Sequence, residues 1–353
     1  MSDLRIAFMG TGLIAAKCLE SATKAAGCTV THIASRTRER AETFIADQAA
    51  LLPNGAHPIT YDELAAADDV DAVYISLPNH LHVGWSLTLL EAGKHVLCEK
   101  PLTPHRAEAE RVVETARRKN RVWQEAFMYP HHPQTDRLRE ITHAALHDPA
   151  NSPIGELRLL RADAVVDLGD GTHVEHRLRH STQGGALQDV GVYPMGCVRY
   201  LTGLEPDPGS IRATARPARI PEGESHPVDG LLVWSFTVAD GRVPVQCSTA
   251  LDTWAGHGLE LAGTTGRLST ARPYWPDDHR AVLDLAHRDA EPTEIVIEDG
   301  GDRVEHQFAH FASACRGDGP IIPSWDWSIG MAAAIEDTYA ALEWEPLPPS
   351  PAV

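Results

Sequence analysis

The chain has 353 residues, 43% of them hydrophobic and 23% charged, ordinary values for a globular protein but too long for one ordinary core, so two domains are expected. Thirty-one Lys and Arg against 49 Asp and Glu leave a formal charge of −18, a field that repels phosphate backbones and anionic membranes and excludes nucleic acid and membrane surfaces as expected partners. The cysteines, Cys18, Cys28, Cys98, Cys197, Cys247 and Cys315, contain no Cys-x-x-Cys pair, which points to free thiols in a reducing cytoplasm rather than a zinc site or disulfide framework. The first segment, MSDLRIAFMG, enters a strand pattern at once instead of reading as a signal peptide, and no apolar run approaches the roughly 20 residues of a bilayer span; a cytoplasmic location is expected.

In chain order, strand patterns fall at 4–9, 29–35, 71–77, 94–100 and 121–127, each followed by a stretch with helical apolar spacing. Val83, Leu87 and Leu90, for example, lie on one helix face that stops at Gly93. Strand, helix, strand in succession predicts right-handed crossovers and a doubly wound α/β domain with a parallel sheet. Its first strand runs into Gly10-Thr11-Gly12-Leu13-Ile14-Ala15. Two glycines there permit a tight turn and close approach of a pyrophosphate, the small third residue lets helix and strand pack, and the helix start offers free N–H groups. Placed at the first strand-to-helix switch, this is a dinucleotide fingerprint of the Rossmann kind.

The end of the second strand separates NAD from NADP. An NAD site usually carries a carboxylate there, whereas this chain reads HIASRTRERAE, with Ser35 and Arg36 in place and Arg38 and Arg40 behind them. Hydroxyl and guanidinium groups suit a 2′-phosphate, so NADP is the expected cofactor, with NAD possible. The alternative is that these arginines pair with Glu39 or Glu42 on a solvated helix. Pro78, Asn79 and His82 follow the third strand and are read as lining the nicotinamide ribose, the alternative for His80 and His82 being a helix cap and a satisfied surface histidine. The fourth ends in Glu99-Lys100-Pro101; proline disfavours helix at the residue before it, so Lys100 is extended at the sheet edge where open α/β sheets hold ligands.

After Ala126 the alternation ceases, and strand patterns crowd at 156–165, 229–239, 241–250, 259–262, 281–286 and 294–298. A helix is read in GGALQDVGVYPMGCVRYLTG, with Asp189 and Tyr193 four apart on one face. His173, His176 and His180 precede it at metal-like spacing, but no cysteine or paired carboxylate completes a shell, and no metal is expected. Trp325 and Trp327 are read as packing residues before sugar platforms.

The segments GTGLIA, SLPNHLHVGWSLTLLEAGKHVLCEKPLT, EAFMYPHHP, GGALQDVGVYP and LELAGTTGRL, in this order, resemble the Gfo/Idh/MocA oxidoreductase family, in particular its glucose-fructose oxidoreductase, dihydrodiol dehydrogenase and xylose dehydrogenase branch. The resemblance implies a Rossmann domain at 1–126, an α+β domain with a large open, mainly antiparallel sheet for substrate binding and oligomerisation at 127–345, and a tail at 346–353. It implies that Lys100 is catalytic, that Pro101 follows a cis bond, that Glu99 belongs to the cofactor site, and that Tyr129 and Arg177 join Lys100, Asp189 and Tyr193 around the substrate. The function implied is hydride transfer between NADP and a sugar or related polyhydroxylated molecule, with Lys100 and Tyr193 sharing a proton relay in which an ammonium favours the phenolate, and with a homodimer or homotetramer. Two other readings belong to the same superfamily: a glycosidase or isomerase with retained NAD, and a dinucleotide-sensing regulator, which has no use for the relay.

Overall fold

The computed structural model describes residues 3–168, 176–219, 221–253 and 255–353. Strands β1 (Leu4–Met9), β2 (Cys28–Ser35), β3 (His57–Thr60), β4 (Ala72–Ile75), β5 (His95–Cys98) and β6 (Trp123–Glu125) form one parallel sheet in the order β3-β2-β1-β4-β5-β6. Helices α1 (Leu13–Lys24), α2 (Arg38–Asp47), α3 (Tyr61–Ala66), α4 (His82–Glu91) and α5 (Arg106–Lys119) connect them. Strand order reverses between β1 and β4, which opens a crevice at their carboxyl ends. The sequence reading lacks β3, whose four residues include Pro58; a proline that cannot donate to a ladder fits only an edge strand, which β3 is.

The second sheet has eight strands, β7 (Leu157–Val165), β8 (Arg212–Pro217), β9 (Asp229–Val238), β10 (Val243–Ala250), β11 (His257–Gly263), β12 (Gly266–Thr270), β13 (Arg280–His287) and β14 (Ala290–Glu298), in the order β14-β13-β12-β11-β7-β10-β9-β8. Among the described residues the β7–β10 pair alone is parallel in this sheet. Alternation along β7 turns Leu160, Ala162 and Ala164 into the core, beneath α6 (Pro133–His147) and α7 (Val192–Thr202), and leaves Arg161 outside. Both the doubly wound domain and the mainly antiparallel sheet thus follow the sequence reading.

The parallel sheet ends near residue 126, yet its core is completed from the far end of the chain. Helix α8 (Arg303–Arg316) lays Phe308 and Phe311 in the cluster of Phe8 and Tyr74, with the Phe8 and Phe308 rings 5.8 Å apart. Helix α9 (Trp325–Ala340) gives Ala332 to the first domain and Met331 and Ile335 to the second. The tail is draped across both: Gln183 Nε2 donates to Pro348 O at 2.8 Å, and Ser350 donates from N and Oγ to the two oxygens of Glu108 at 2.8 and 2.9 Å.

Four histidines meet where α8 crosses the start of α6. His131 and His310 face each other through their Nδ1 atoms at 2.8 Å, and His306 and His132 lie beside them. Burial and mutual repulsion push His131 down to about 3, burial with His306 and Arg303 push His132 down to about 4, and His310 is lowered as well. Groups that prefer to be neutral when folded take up protons on unfolding, so their contribution is complete above about pH 7 and is lost as the pH falls from the ordinary histidine value of about 6.5 toward the folded values. Urea unfolding at a series of pH values should show stability falling by about 1.4 kcal/mol per pH unit for each such ring, and His131→Gln should flatten that slope. A slope unchanged in His131→Gln would place the acid sensitivity elsewhere.

Candidate active site

Residues of the glycine loop take positions that other residues resist. Gly10 has φ of +115°, and a Cβ on it would stand 2.8 Å from Ser76 O and Oγ. Nothing lies within 4 Å of a Cβ built on Gly12 and, among the described residues, no side chain caps α1, which leaves the first N–H groups of that helix without a side-chain partner. Leu13 is 62% exposed, Ile14 is half-buried, and Ala15 is buried against the sheet. Thr11 Oγ1 lies 3.4 Å from Ser35 Oγ, which joins this loop to the end of β2. An uncapped helix start beside an open glycine is a fit for a pyrophosphate.

At the end of β2, Ser35 is buried while Arg36 and Arg40 are exposed. Arg38 is occupied, donating to Glu63 Oε1 at 2.7 Å and to Pro58 O. Among the described residues neither Arg36 nor Arg40 has an ion-pair partner, so the alternative in which they pair with Glu39 or Glu42 is not seen. Tyr61, absent from the sequence reading, sits against Ser35 and Arg36; burial raises its pKa, and those two groups oppose the rise.

His82 corrects the sequence reading. It is buried, with Nδ1 2.7 Å from Pro101 O and Nε2 2.8 Å from Leu77 O, so both ring nitrogens face backbone carbonyls rather than open space. Two carbonyls favour the doubly protonated ring, but burial prevails and pushes the imidazole down to about 4. The ring therefore braces the β4 loop against the Lys100 loop. Asn79 is likewise engaged, its Nδ2 donating to Gln183 O at 2.9 Å across the domain boundary, and Pro78 leads that loop.

The Lys100–Pro101 bond is cis. Lys100 Nζ donates to Asp189 O at 2.6 Å, lies 4.0 Å from Asp189 Oδ1, and sits 4.6 Å from the centroid of the Tyr193 ring. Burial lowers its pKa, with Asp189 and Glu99 opposing. Glu99 lies behind it, accepting the Tyr74 hydroxyl at 2.6 Å and raised by burial. The helix read around Asp189 opens with a π turn, Leu187–Gly191, ahead of α7, and the Asp189 carbonyl accepts the ammonium. The glycines before it are required: a Cβ on Gly184 would stand 2.4 Å from Arg177 O, and one on Gly185 2.3 Å from Asp229 Oδ1. That close passage delivers Arg177, whose Nη1 donates to Asp189 Oδ2 at 2.8 Å.

Tyr193 is 5% exposed, and among the described residues its hydroxyl has one hydrogen-bond partner, Met128 Sδ at 3.8 Å. Lys100 thus faces the ring rather than the oxygen, and burial, with Glu99 and Asp189, drives the Tyr193 pKa well above its ordinary value. The expected phenolate is not favoured. Tyr129 is fully buried, its ring 6.5 Å from that of Tyr193, and packs in the wall behind it. Trp275 and Tyr274, at 4.8 and 5.6 Å from Tyr193, complete the wall; the run ARPYWPDD that carries them offers no periodic signal in the sequence. Trp325 donates to Trp123 O at 2.7 Å and Trp327 stacks under Arg199, so both are packing residues. His173 lies outside the described residues; His176 is lowered by burial and His180 bonds Pro346 O at 3.1 Å. Among the described residues no group of three or more His, Cys, Asp or Glu is arranged to hold a metal.

Residues 4–127 match the family described as oxidoreductase family, NAD-binding Rossmann fold, and residues 150–269 match the GFO/IDH/MocA C-terminal domain. Among curated relatives, dTDP-3,4-didehydro-2,6-dideoxy-α-D-glucose 3-reductase of Streptomyces violaceoruber is 32% identical over 81% of this chain and 77% of that one. D-xylose 1-dehydrogenase (NADP(+)) of Haloarcula marismortui is 28% identical over 90% and 85%. Among solved structures, KijD10, a 3-ketoreductase from Actinomadura kijaniata in complex with NADP and TDP-benzene, is 28% identical with a TM-score of 0.83 over 97% of this chain and 98% of that one. The chain belongs to the Gfo/Idh/MocA oxidoreductase family and is an NAD(P)-dependent oxidoreductase.

Proposed function

We propose that this protein is an NADP-dependent oxidoreductase that moves a hydride between the nicotinamide and a carbon of a sugar or keto-sugar. The observation that carries the reading is the meeting, at one sheet edge, of an open glycine-loop helix start with a lysine held between a π turn and a phenol ring. Gly10, Thr11, Gly12, Leu13 and Ile14 would hold the pyrophosphate, Ser35, Arg36 and Arg40 the 2′-phosphate, and Pro78, Asn79, Glu99 and Lys100 the nicotinamide end. NADP, when bound, supplies or accepts the hydride. The names of the xylose dehydrogenase and of the ketoreductase complex support both the cofactor and the substrate class.

The proton belongs to this chain's own residues. As a carbonyl carbon gains a hydride, its oxygen gains charge and needs a proton and a hydrogen-bond donor. Lys100 spends one N–H on Asp189 O and keeps the others for substrate. Burial lowers the lysine and raises the tyrosine, so Lys100 is the group that gives the proton, and takes it back in the reverse direction as neutral amine. Tyr193 donates a hydrogen bond to the same oxygen. Asp189 Oδ1, free of Arg177, accepts from a sugar hydroxyl.

Fluorescence titration with NADPH and NADH, followed by free aldoses and nucleotide-linked keto-sugars, tests this reading. Tighter NADPH binding and net turnover are expected; cofactor that co-purifies without exchange and gives no net turnover overturns it. The outer face of the large sheet leaves Val233 51% exposed beside Arg161 and Gln246, and we expect it to be covered in a homodimer or homotetramer. Light scattering after size exclusion should give at least twice the chain mass of 38.4 kDa; a monomer at micromolar concentration contradicts this.

A further inference from the structure

The turn that carries Lys100 rests on a buried carboxyl group that the mechanism above does not use. Glu125 ends β6, opposite Cys98 in the ladder with β5, and is 1% exposed. Its Oε1 accepts the Leu102 N–H at 2.9 Å, one residue beyond Pro101. Its Oε2 is buried with no hydrogen-bond partner, as is the hydroxyl of Ser328, which approaches from α9. A carboxyl group half satisfied in such a place is costly unless a nearby charge compensates it.

The carboxylates around Lys100 are unequal. Asp189 Oδ2 accepts from Arg177 at 2.8 Å while its Oδ1 lies 4.0 Å from Lys100 Nζ, and Glu99 accepts the Tyr74 hydroxyl at 2.6 Å and the Lys100 N–H at 3.3 Å; Glu125 instead holds the turn from its far side, through the Leu102 N–H. We propose that Glu125 is a positioning residue for Lys100: its carboxylate, buried beneath the Lys100-Pro101-Leu102 turn and bonded to the Leu102 N–H, fixes the direction of that turn and sets a negative charge beneath it. This rests on the hydride-transfer reading for its consequence, though not for its test.

The surrounding groups act in both directions. Burial raises Glu125 to about 7, while the Leu102 N–H, the Ser328 hydroxyl, Arg199 from α7 and Lys100 oppose the rise. Glu125 in turn helps to raise Lys100 against burial, and also helps to raise the Cys98 thiol. Across neutral pH the carboxyl group ionises, and the amine becomes harder to deprotonate as it does so.

The test reads Lys100 directly. Acetylation of Lys100 by acetic anhydride, followed by mass spectrometry of its peptide from about pH 6 to about pH 9, reports the free amine without any turnover. In the wild-type protein the rise of rate with pH should flatten near 7, where Glu125 ionises. Glu125→Gln keeps an oxygen for the Leu102 N–H but carries no charge. It should remove the flattening and make Lys100 react about threefold or more faster at about pH 8, and Glu125→Asp should restore it. A Glu125→Gln curve superimposed on the wild type overturns the proposal. If that variant does not fold, a wild-type curve without flattening does so alone. In turnover, Glu125→Gln should lower kcat and lose the pH limb near 7 with KM and NADPH affinity unchanged, whereas a purely structural role would leave the pH profile in place. A wild-type protein that turns over no sugar refutes the function proposed above, and the acetylation curve still judges Glu125.

Discussion

Lys100→Met should lower kcat by about 10²–10⁴-fold, the range of a positioned acid–base group, while NADPH binds about as tightly as before. Methionine matches the lysine stem in length and can lie on the Tyr193 ring as the ammonium does at 4.6 Å, so packing is nearly preserved. The bond to Asp189 O, 2.6 Å in the wild type, is lost together with the proton. Tyr193→Phe removes one hydroxyl whose contact here is a thioether at 3.8 Å, so its stability should stay near wild type. Its turnover should fall by less than that of Lys100→Met, because it loses a donor and keeps the acid. Steady-state kinetics with single-turnover controls separates the two; turnover within tenfold of wild type in Lys100→Met would falsify the assignment of the proton to the lysine.

The second large effect concerns the cofactor. Arg36→Ala with Arg40→Ala should weaken NADPH binding by about 10²-fold or more and leave NADH almost unaffected, since a hydrogen bond to a charged group contributes about 1.5–3 kcal/mol and every 1.4 kcal/mol is tenfold. Both side chains are exposed and, among the described residues, without an acidic partner, so removing them leaves no buried charge behind. Arg38→Ala is the internal control: its guanidinium already serves Glu63 and Pro58, and its loss should disturb the α2–β3 packing rather than the cofactor preference. Equal losses for NADPH and NADH in the double variant would mean that the arginines act through the helix and not on a 2′-phosphate.

Much of this architecture is local and therefore legible. Helical spacing, the Gly10–Ala15 turn and the proline after Lys100 each constrain neighbouring residues in the chain, and the first strand falls at Leu4–Met9 as read. What escaped was non-local or weakly patterned. Strands β8 and β12 were missed because one is a largely exposed edge and the other a five-residue segment defined by its hairpin partner. His82 resembles a ligand in sequence because PNHLH follows a strand end; that its two nitrogens meet Leu77 and Pro101 carbonyls depends on the approach of two loops nineteen residues apart. The bridge from Arg177 to Asp189 follows from the glycine pair that lets the two segments pass, whereas the Trp275 wall arrives from a segment with no code of its own.

The return of α8 and α9 to the first sheet matters for anyone who would recombine these modules. A fragment cut near residue 126 would present the faces of Phe8 and Tyr74 without Phe308 and Phe311, and the opposite cluster without Ala332. To graft this cofactor preference onto another substrate domain, residues 303–340 would have to travel with residues 3–126, and α9 would carry a piece of the old domain's core, Met331 and Ile335, along with it. The exchangeable unit is a discontinuous pair of segments, and hybrids joined at a single crossover inherit one incomplete core.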